Sequence, residues 1–272
     1  MKLFFFCPRW GQEHLSWDVF LEKVKTAGYN GVETSLPMDK FERSEIVTKI
    51  NEYGLFLIAQ HWETIESDFT LHEKEYLIRL EALASVRPLL INTQTGKDYY
   101  TTKQNIKLIR GAQLISKKTG IPIFHETHRG KFSFAAHVTY GYLRKLKQFQ
   151  LTLDASHWCN VSETLLEDQA DAMEMALQRT DHIHARVGHA QGPQVNDPRA
   201  PEWADALNAH LAWWDKVIAM KKQQGKNLTI LTEFGPPDYL PTKPYTKAPL
   251  ANQWEINVYM MHLLRKRYAY NN

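Results

Sequence analysis

Short, nearly continuous apolar runs alternate along this chain with longer stretches in which apolar residues recur every three or four positions. The first pattern suits a strand buried on both faces, and the second an amphipathic helix. Leu3–Cys7 is the first such strand, ended by Pro8-Arg9-Trp10-Gly11. Ser16 reads as the cap of a helix through Val19, Phe20, Leu21 and Val24, and Gly28 stops it. Further strands are predicted over 31–34, 55–60, 89–93, 121–124, 151–153, 181–185 and 228–232. Helices are predicted over 41–53, 71–84, 103–118, 134–149, 165–178, 203–224 and 253–268.

Eight strand–helix units in 272 residues average about 34 residues each. Regular alternation of this kind implies a parallel sheet, and eight units fit one (β/α)8 TIM barrel over residues 1–272. A doubly wound sheet is the alternative, but it usually carries a glycine-rich phosphate turn after its first strand. Cys7-Pro8-Arg9-Trp10-Gly11 stands there instead. The longest irregular stretches, 187–201 and 235–249, follow late strands and are candidate active-site loops.

Composition narrows the partners. A net charge of +3 without a clustered basic face argues against nucleic acid. The short clusters around Arg144-Lys145 and Lys221-Lys222 read as solvated helix faces. Two cysteines, Cys7 and Cys159, form neither a CxxC pair nor a disulfide framework, which suits a reducing compartment. The apolar start is shorter than a signal core, and no run approaches the ~20 residues of a membrane span. The expectation is a cytoplasmic protein with a small-molecule partner and no membrane contact. A homo-oligomer is compatible with this reading.

The candidate chemistry lies at the strand ends. Arg9, Glu33, His61, Gln94, Glu126, Asp154, His184 and Glu233 all fall at or just past the C-terminal ends of predicted strands. In a barrel these ends converge on one face, where catalysis is built. Glu126, Asp154, His184 and Glu233 come from strands five to eight and form a candidate ligand set for one divalent ion. Three carboxylates and one imidazole favour Mn2+ or Mg2+, with Zn2+, Co2+ and Fe2+ as alternatives. His182 points the same way as His184, which is preferred because it lies nearer the strand end.

The motifs His125-Glu126-Thr127-His128, Leu153-Asp154-Ala155-Ser156-His157, His182-Ile183-His184-Ala185-Arg186 and Thr232-Glu233-Phe234-Gly235 resemble, in order and spacing, those of the xylose isomerase-like barrels. That superfamily includes sugar isomerases and epimerases, dehydratases and apurinic-site endonucleases. The resemblance implies Glu126, Asp154, His184 and Glu233 as ligands, with His157 and Arg186 as substrate contacts. In the ketose epimerase branch the two ligand glutamates also move protons, which gives Glu126 and Glu233 catalytic roles by analogy. The nuclease branch adds further histidine ligands. Here strand four ends Ile91-Asn92-Thr93-Gln94-Thr95, and Asp197-Pro198-Arg199 puts an always-protonated guanidinium where a ligand is needed. A three-zinc nuclease site is therefore not expected.

One hard divalent ion suits proton transfer next to a carbonyl. Ligation lowers a carboxylate's basicity, so either Glu126 or Glu233 is weakly held, or a free group such as Glu33 or His61 acts instead. Substrate-binding candidates are Glu33, His61, His128, His157, Arg186, Trp10, Trp62 and Trp158, with Gln60 and Arg199 as further donors. Trp10, Trp62 and Trp158 offer aromatic faces to sugar C–H surfaces. Paired guanidiniums at Arg186 and Arg199 would suit a carboxylate or phosphate. The expected activity is a metal-dependent sugar isomerase or epimerase. A cyclic-polyol dehydratase on the same scaffold and a non-catalytic carbohydrate-binding barrel are the alternatives.

Overall fold

A computed structural model describes residues 1–269. Its eight parallel strands close into one barrel in chain order. They are β1 (Leu3–Pro8), β2 (Gly31–Thr34), β3 (Phe56–His61), β4 (Leu90–Thr93), β5 (Ile123–Glu126), β6 (Leu151–Leu153), β7 (Thr180–His184) and β8 (Leu228–Leu231). The barrel closes where Leu3–Phe6 of β1 run beside Leu228–Leu231 of β8. The TIM barrel expected from the alternating pattern is the fold observed.

The helices are α1 (Trp17–Ala27), α2 (Lys40–Glu52), α3 (Phe69–Ala84), α4 (Thr102–Thr119), α5 (Ala136–Lys145), α6 (Ala155–Ser162), α7 (Ala170–Gln178), α8 (Ala204–Gln223) and α9 (Gln253–Ala269). Local signals set many ends. The Ser16 hydroxyl accepts the Val19 amide at 3.3 Å and starts α1. Gly28 ends α1 at φ 90°, a left-handed turn that a side chain disfavours.

Two helices depart from the sequence pattern. The predicted 134–149 helix stops at Lys145, where Leu146 turns to an extended conformation. Phe149 is then buried in the core, and the Arg179 guanidinium donates to its carbonyl at 3.2 Å. The predicted 165–178 helix begins only at Ala170, after Leu166 adopts a positive φ of 61°. The short helix α6 was not anticipated. The carboxylate of Asp154 caps it, accepting the Ser156 amide at 3.0 Å.

Strand residues alternate between two buried environments. One set, including Val32, Leu57, Ile91, Leu153, Ile183 and Ile230, packs outward against the helices. The other set faces the barrel interior. There Phe6, Ile58, Leu90 and Leu231, with Phe4 and Phe124, form a separate apolar plug. Two residues further along the same strand face, the interior turns polar: Ile58 gives way to Gln60, Leu90 to Asn92, Phe124 to Glu126 and Leu231 to Glu233. This step lifts the polar groups onto the C-terminal side of the barrel. Among the described residues no helix is long and apolar enough to cross a membrane.

Candidate metal centre and its cavity

Glu126 is the last residue of β5, Asp154 follows β6, His184 ends β7 and Glu233 lies just past β8. One ligand atom from each lies within 4.8 Å of all the others, and all four residues are buried. His182 is differently employed. Its Nδ1 lies 2.7 Å from the Thr229 hydroxyl and its Nε2 2.9 Å from Oε2 of Glu33. His184 uses Nε2 toward Oε1 of Glu33, at 3.1 Å, and turns Nδ1 toward the other carboxylates. That nitrogen lies 2.7 Å from Oε2 of Glu233 and 3.9 Å from Oε1 of Glu126.

The donor set fits a hard divalent ion. Nδ1 of His184 and Oε2 of Glu233 are both buried, 2.7 Å apart, and neither has any other hydrogen-bond partner. A cation between them satisfies both. Buried carboxylates at Glu33, Glu126, Asp154 and Glu233 crowd this region, while the guanidinium of Arg186 contacts Asp154 and lies 3.6 Å from Glu233. Unpaired buried charge is costly, so further positive charge is favoured here. Neither cysteine belongs to the cluster, and Cys7 and Cys159 are free and buried.

Proton affinities report the same crowding. Burial, with the nearby Glu233 and Asp154, raises the Glu126 carboxyl against the opposing pull of His184. At Glu233 burial also pushes upward, but His184 and Arg186 outweigh it and hold the group below the ordinary range. Glu33 is drawn down to about 2, because His184 and His182 outweigh its burial. His184 is held well above the usual value by Glu233, Glu33 and Glu126 despite burial. A proton on this imidazole supplies the positive charge that an ion would supply in its place.

The cluster opens into a cavity of about 860 Å3. Of the residues expected to touch substrate, Trp10, Trp62, His128 and Arg186 line it, with Gln60, Gln94, Glu126 and Glu233. Four expected substrate contacts do not line it. Glu33 lies beneath the cluster, locked to His182, His184 and Asn92. His61 is fixed between the hydroxyls of Thr93, at 3.0 Å, and Thr64, at 2.7 Å, and burial lowers it to about 3. Trp158 is a core residue whose indole N–H donates to the Ser133 carbonyl at 2.7 Å. His157 is fully buried, with Arg186 donating to its Nε2 at 2.7 Å and the His128 ring 3.9 Å away. Arg199 is also absent from the cavity wall and forks onto Asp197, so no Arg186–Arg199 pair forms.

Two residues of the region carried no distinguishing signal in the sequence. Asn92 donates from Nδ2 to Glu33 and to Glu126, at 2.9 Å each, tying the floor to the cluster. Tyr239 comes from the long loop after β8 and lines the cavity, with Arg186 and Arg129 stacked on its ring at 4.8 and 5.0 Å. The Trp10 ring meets it edge-on at 5.0 Å. The loop was legible as a candidate, but an aromatic residue in an aperiodic stretch has no pattern to single it out.

No protein-family model and no curated protein sequence matches the chain. Solved structures do match across nearly its whole length. The 3-keto-D-glucoside 4-epimerase YcjR of E. coli superposes with a TM-score of 0.63 at 16% identity, covering 98% of this chain and 99% of that one. A xylose isomerase-like TIM barrel protein from Mycobacterium smegmatis, solved in complex with magnesium, gives 0.61 at 12% identity, covering 96% of each chain. The probable 3-DHS dehydratase AsbF of Bacillus anthracis gives 0.57 at 16%, covering 97% and 98%. The closed eight-stranded barrel and these matches together identify the fold as a xylose isomerase-like TIM barrel.

Proposed function

We propose that this chain is a divalent-metal-dependent isomerase or epimerase that acts on a sugar or sugar derivative by proton transfer next to a carbonyl. The observation that carries this reading is the placement of Glu126 and Glu233. Both belong to the four-residue donor cluster, and both also line the cavity. Epimerase and magnesium-complex relatives of the same fold support it.

Glu126, Asp154, His184 and Glu233 would hold the ion, with Mn2+ or Mg2+ suited to the oxygen-rich set. A bound divalent ion supplies Lewis-acid polarisation of a carbonyl oxygen and stabilises charge developing beside it. One of Glu126 and Glu233 removes the proton α to the carbonyl, and the other returns a proton to the substrate. Asn92 and Gln94 donate to the Glu126 carboxylate, at 2.9 Å and 3.3 Å, and hold its orientation. His128, Gln60 and Arg186 are placed on the cavity wall to meet hydroxyls, and Trp10 offers an apolar face.

The test is a panel of ketoses, aldoses and inososes incubated with the Mn2+-loaded protein in deuterated water. The expected result is solvent deuterium at one carbon, together with an isomer of the substrate. Loss of water in place of isomerisation would move the protein to the dehydratases. Failure to bind Mn2+, Mg2+, Zn2+, Co2+ or Fe2+ would overturn the metal-dependent reading altogether.

A further inference from the structure

The cavity holds more than the reaction needs. At about 860 Å3 it lies near the top of the ~300–1,000 Å3 range in which drug-sized ligands are buried. A single sugar ring on the metal cluster leaves much of it empty. On the side of β2 and β3, across the barrel from the strands that carry the cluster, the lining forms a lateral lobe. It includes Leu36, Pro37, Met38, Ile46 and Trp62 beside the polar Ser35, Glu63 and Arg79. Leu36 is buried, whereas Met38 and Trp62 are 43% and 49% exposed, so the lobe has an apolar back and open apolar edges.

Two of the three guanidiniums on the cavity wall are already hydrogen-bonded within the protein. Arg9 donates to the Leu15 carbonyl at 2.5 Å and lies 4.6 Å from the ring centres of both Trp17 and Phe20. Arg186 is bound to Asp154, while Arg79 has only the looser neighbour Glu63, at 4.0 Å. No lysine lines the cavity among the described residues. Four carboxylates, from Glu13, Glu63, Glu126 and Glu233, face the three guanidiniums on this wall, so a phosphate or carboxylate in the lobe would meet no net positive charge.

We propose that the lobe is a second subsite, which receives an uncharged, apolar-faced ring attached to the reacting sugar. Lobe and metal cluster share one cavity, so a single substrate can span both. The substrate class is thus a glycoside with a planar or ring-sized aglycone, and not a free or phosphorylated monosaccharide. The assignment rests on the sugar-directed reading above for the reacting part, and on the lobe's own wall for the remainder.

The probes are p-nitrophenyl and methyl glycosides of a common set of pyranoses, with the matching sugar phosphates, titrated calorimetrically into the Mn2+-loaded protein. At least one p-nitrophenyl glycoside is expected to bind tenfold or more tightly than its methyl counterpart, while no phosphate gains affinity over its parent sugar. Tenfold corresponds to about 1.4 kcal/mol, in keeping with desolvation of one aromatic face. Trp62→Ala and Met38→Glu should each erase the p-nitrophenyl preference, with Mn2+ affinity held within twofold. Met38 is already partly exposed, so its substitution leaves the fold intact. Equal affinity for methyl and p-nitrophenyl partners throughout the set overturns the subsite. So does a preference that survives both substitutions, or a phosphate that binds best. Aryl preference without Mn2+ binding would uphold the subsite and remove the isomerase reading, so the two failures are separable.

Discussion

Nε2 of His184 lies 3.1 Å from Oε1 of Glu33, on the opposite side of the imidazole from the nitrogen facing Glu126 and Glu233. A carboxylate in this position fixes the ring's orientation and makes the far nitrogen a better donor to a metal. Glu33→Gln keeps the shape and removes the charge. Mn2+ affinity should fall about 10–100-fold, the usual effect of losing such support. Calorimetry would measure it, and an affinity within twofold of the parent would show that Glu33 has no part in tuning the site.

Arg186 occupies the other end of this electrostatic arrangement, against Asp154 and Glu233. In Arg186→Gln the buried carboxylates lose that partner, which should cost the metal-free protein about 3–5 kcal/mol. The same loss of competing positive charge should increase the gain in melting temperature on adding Mn2+. Denaturant titration with and without Mn2+ reads both effects. A variant whose gain is no larger than the parent's would contradict the competition argued here.

Gly235 meets the site from the chain side. A methyl group built there would approach the Trp10 ring to 2.2 Å. Its amide donates to Oε1 of Gln194 at 2.7 Å and its carbonyl accepts from Nε2 of Gln194 at 3.1 Å, so the backbone is pinned. Gly235→Ala should therefore cost about 1–3 kcal/mol by overpacking. Trp10→Leu in the same chain should restore part of it, giving a favourable coupling energy in a double-mutant cycle. Strict additivity in that cycle would refute the contact as the cause.

His125, next to Glu126 on β5, gives a pH-dependent prediction. It packs between Phe132 and Phe149, its Nδ1 lies 2.7 Å from the Thr95 hydroxyl, and burial lowers it to about 3. The unfolded chain takes up this proton near pH 6.5 and the folded one only near 3, so stability falls as pH drops below about 6.5. His125→Gln lacks that penalty. The stability gap between parent and variant should narrow by about 1.5 kcal/mol between pH 6.5 and 5. Urea unfolding at several pH values would test it, and a constant gap would mean that His125 is already protonated in the native state.

The barrel was legible because its signal is repeated: alternating apolar runs and amphipathic stretches predict eight units even where single boundaries are off. The four clustered donors were legible for a related reason, since each stands at a strand end and strand ends meet. Contacts set by side-chain direction were not. Glu33 and His61 end or adjoin strands as Glu126 does, yet one is spent beneath His184 and the other between two threonine hydroxyls. Spacing cannot separate a residue that faces the cavity from one that supports it. Helix α6 has no separate start signal in the sequence, because its cap, Asp154, is also the strand-end carboxylate.

The apolar plug of Phe6, Ile58, Leu90 and Leu231 gives this molecule a directionality that the ligand cluster alone does not. It fills the barrel beneath the cluster, while the cavity above opens beside Glu126 and Glu233. Traffic with bulk water then runs through the mouth that admits the substrate. A substrate whose aglycone fills the lateral lobe also corks that mouth. The bulkier the aglycone, the more slowly the glutamate that keeps the abstracted hydrogen exchanges it with solvent before the next turnover.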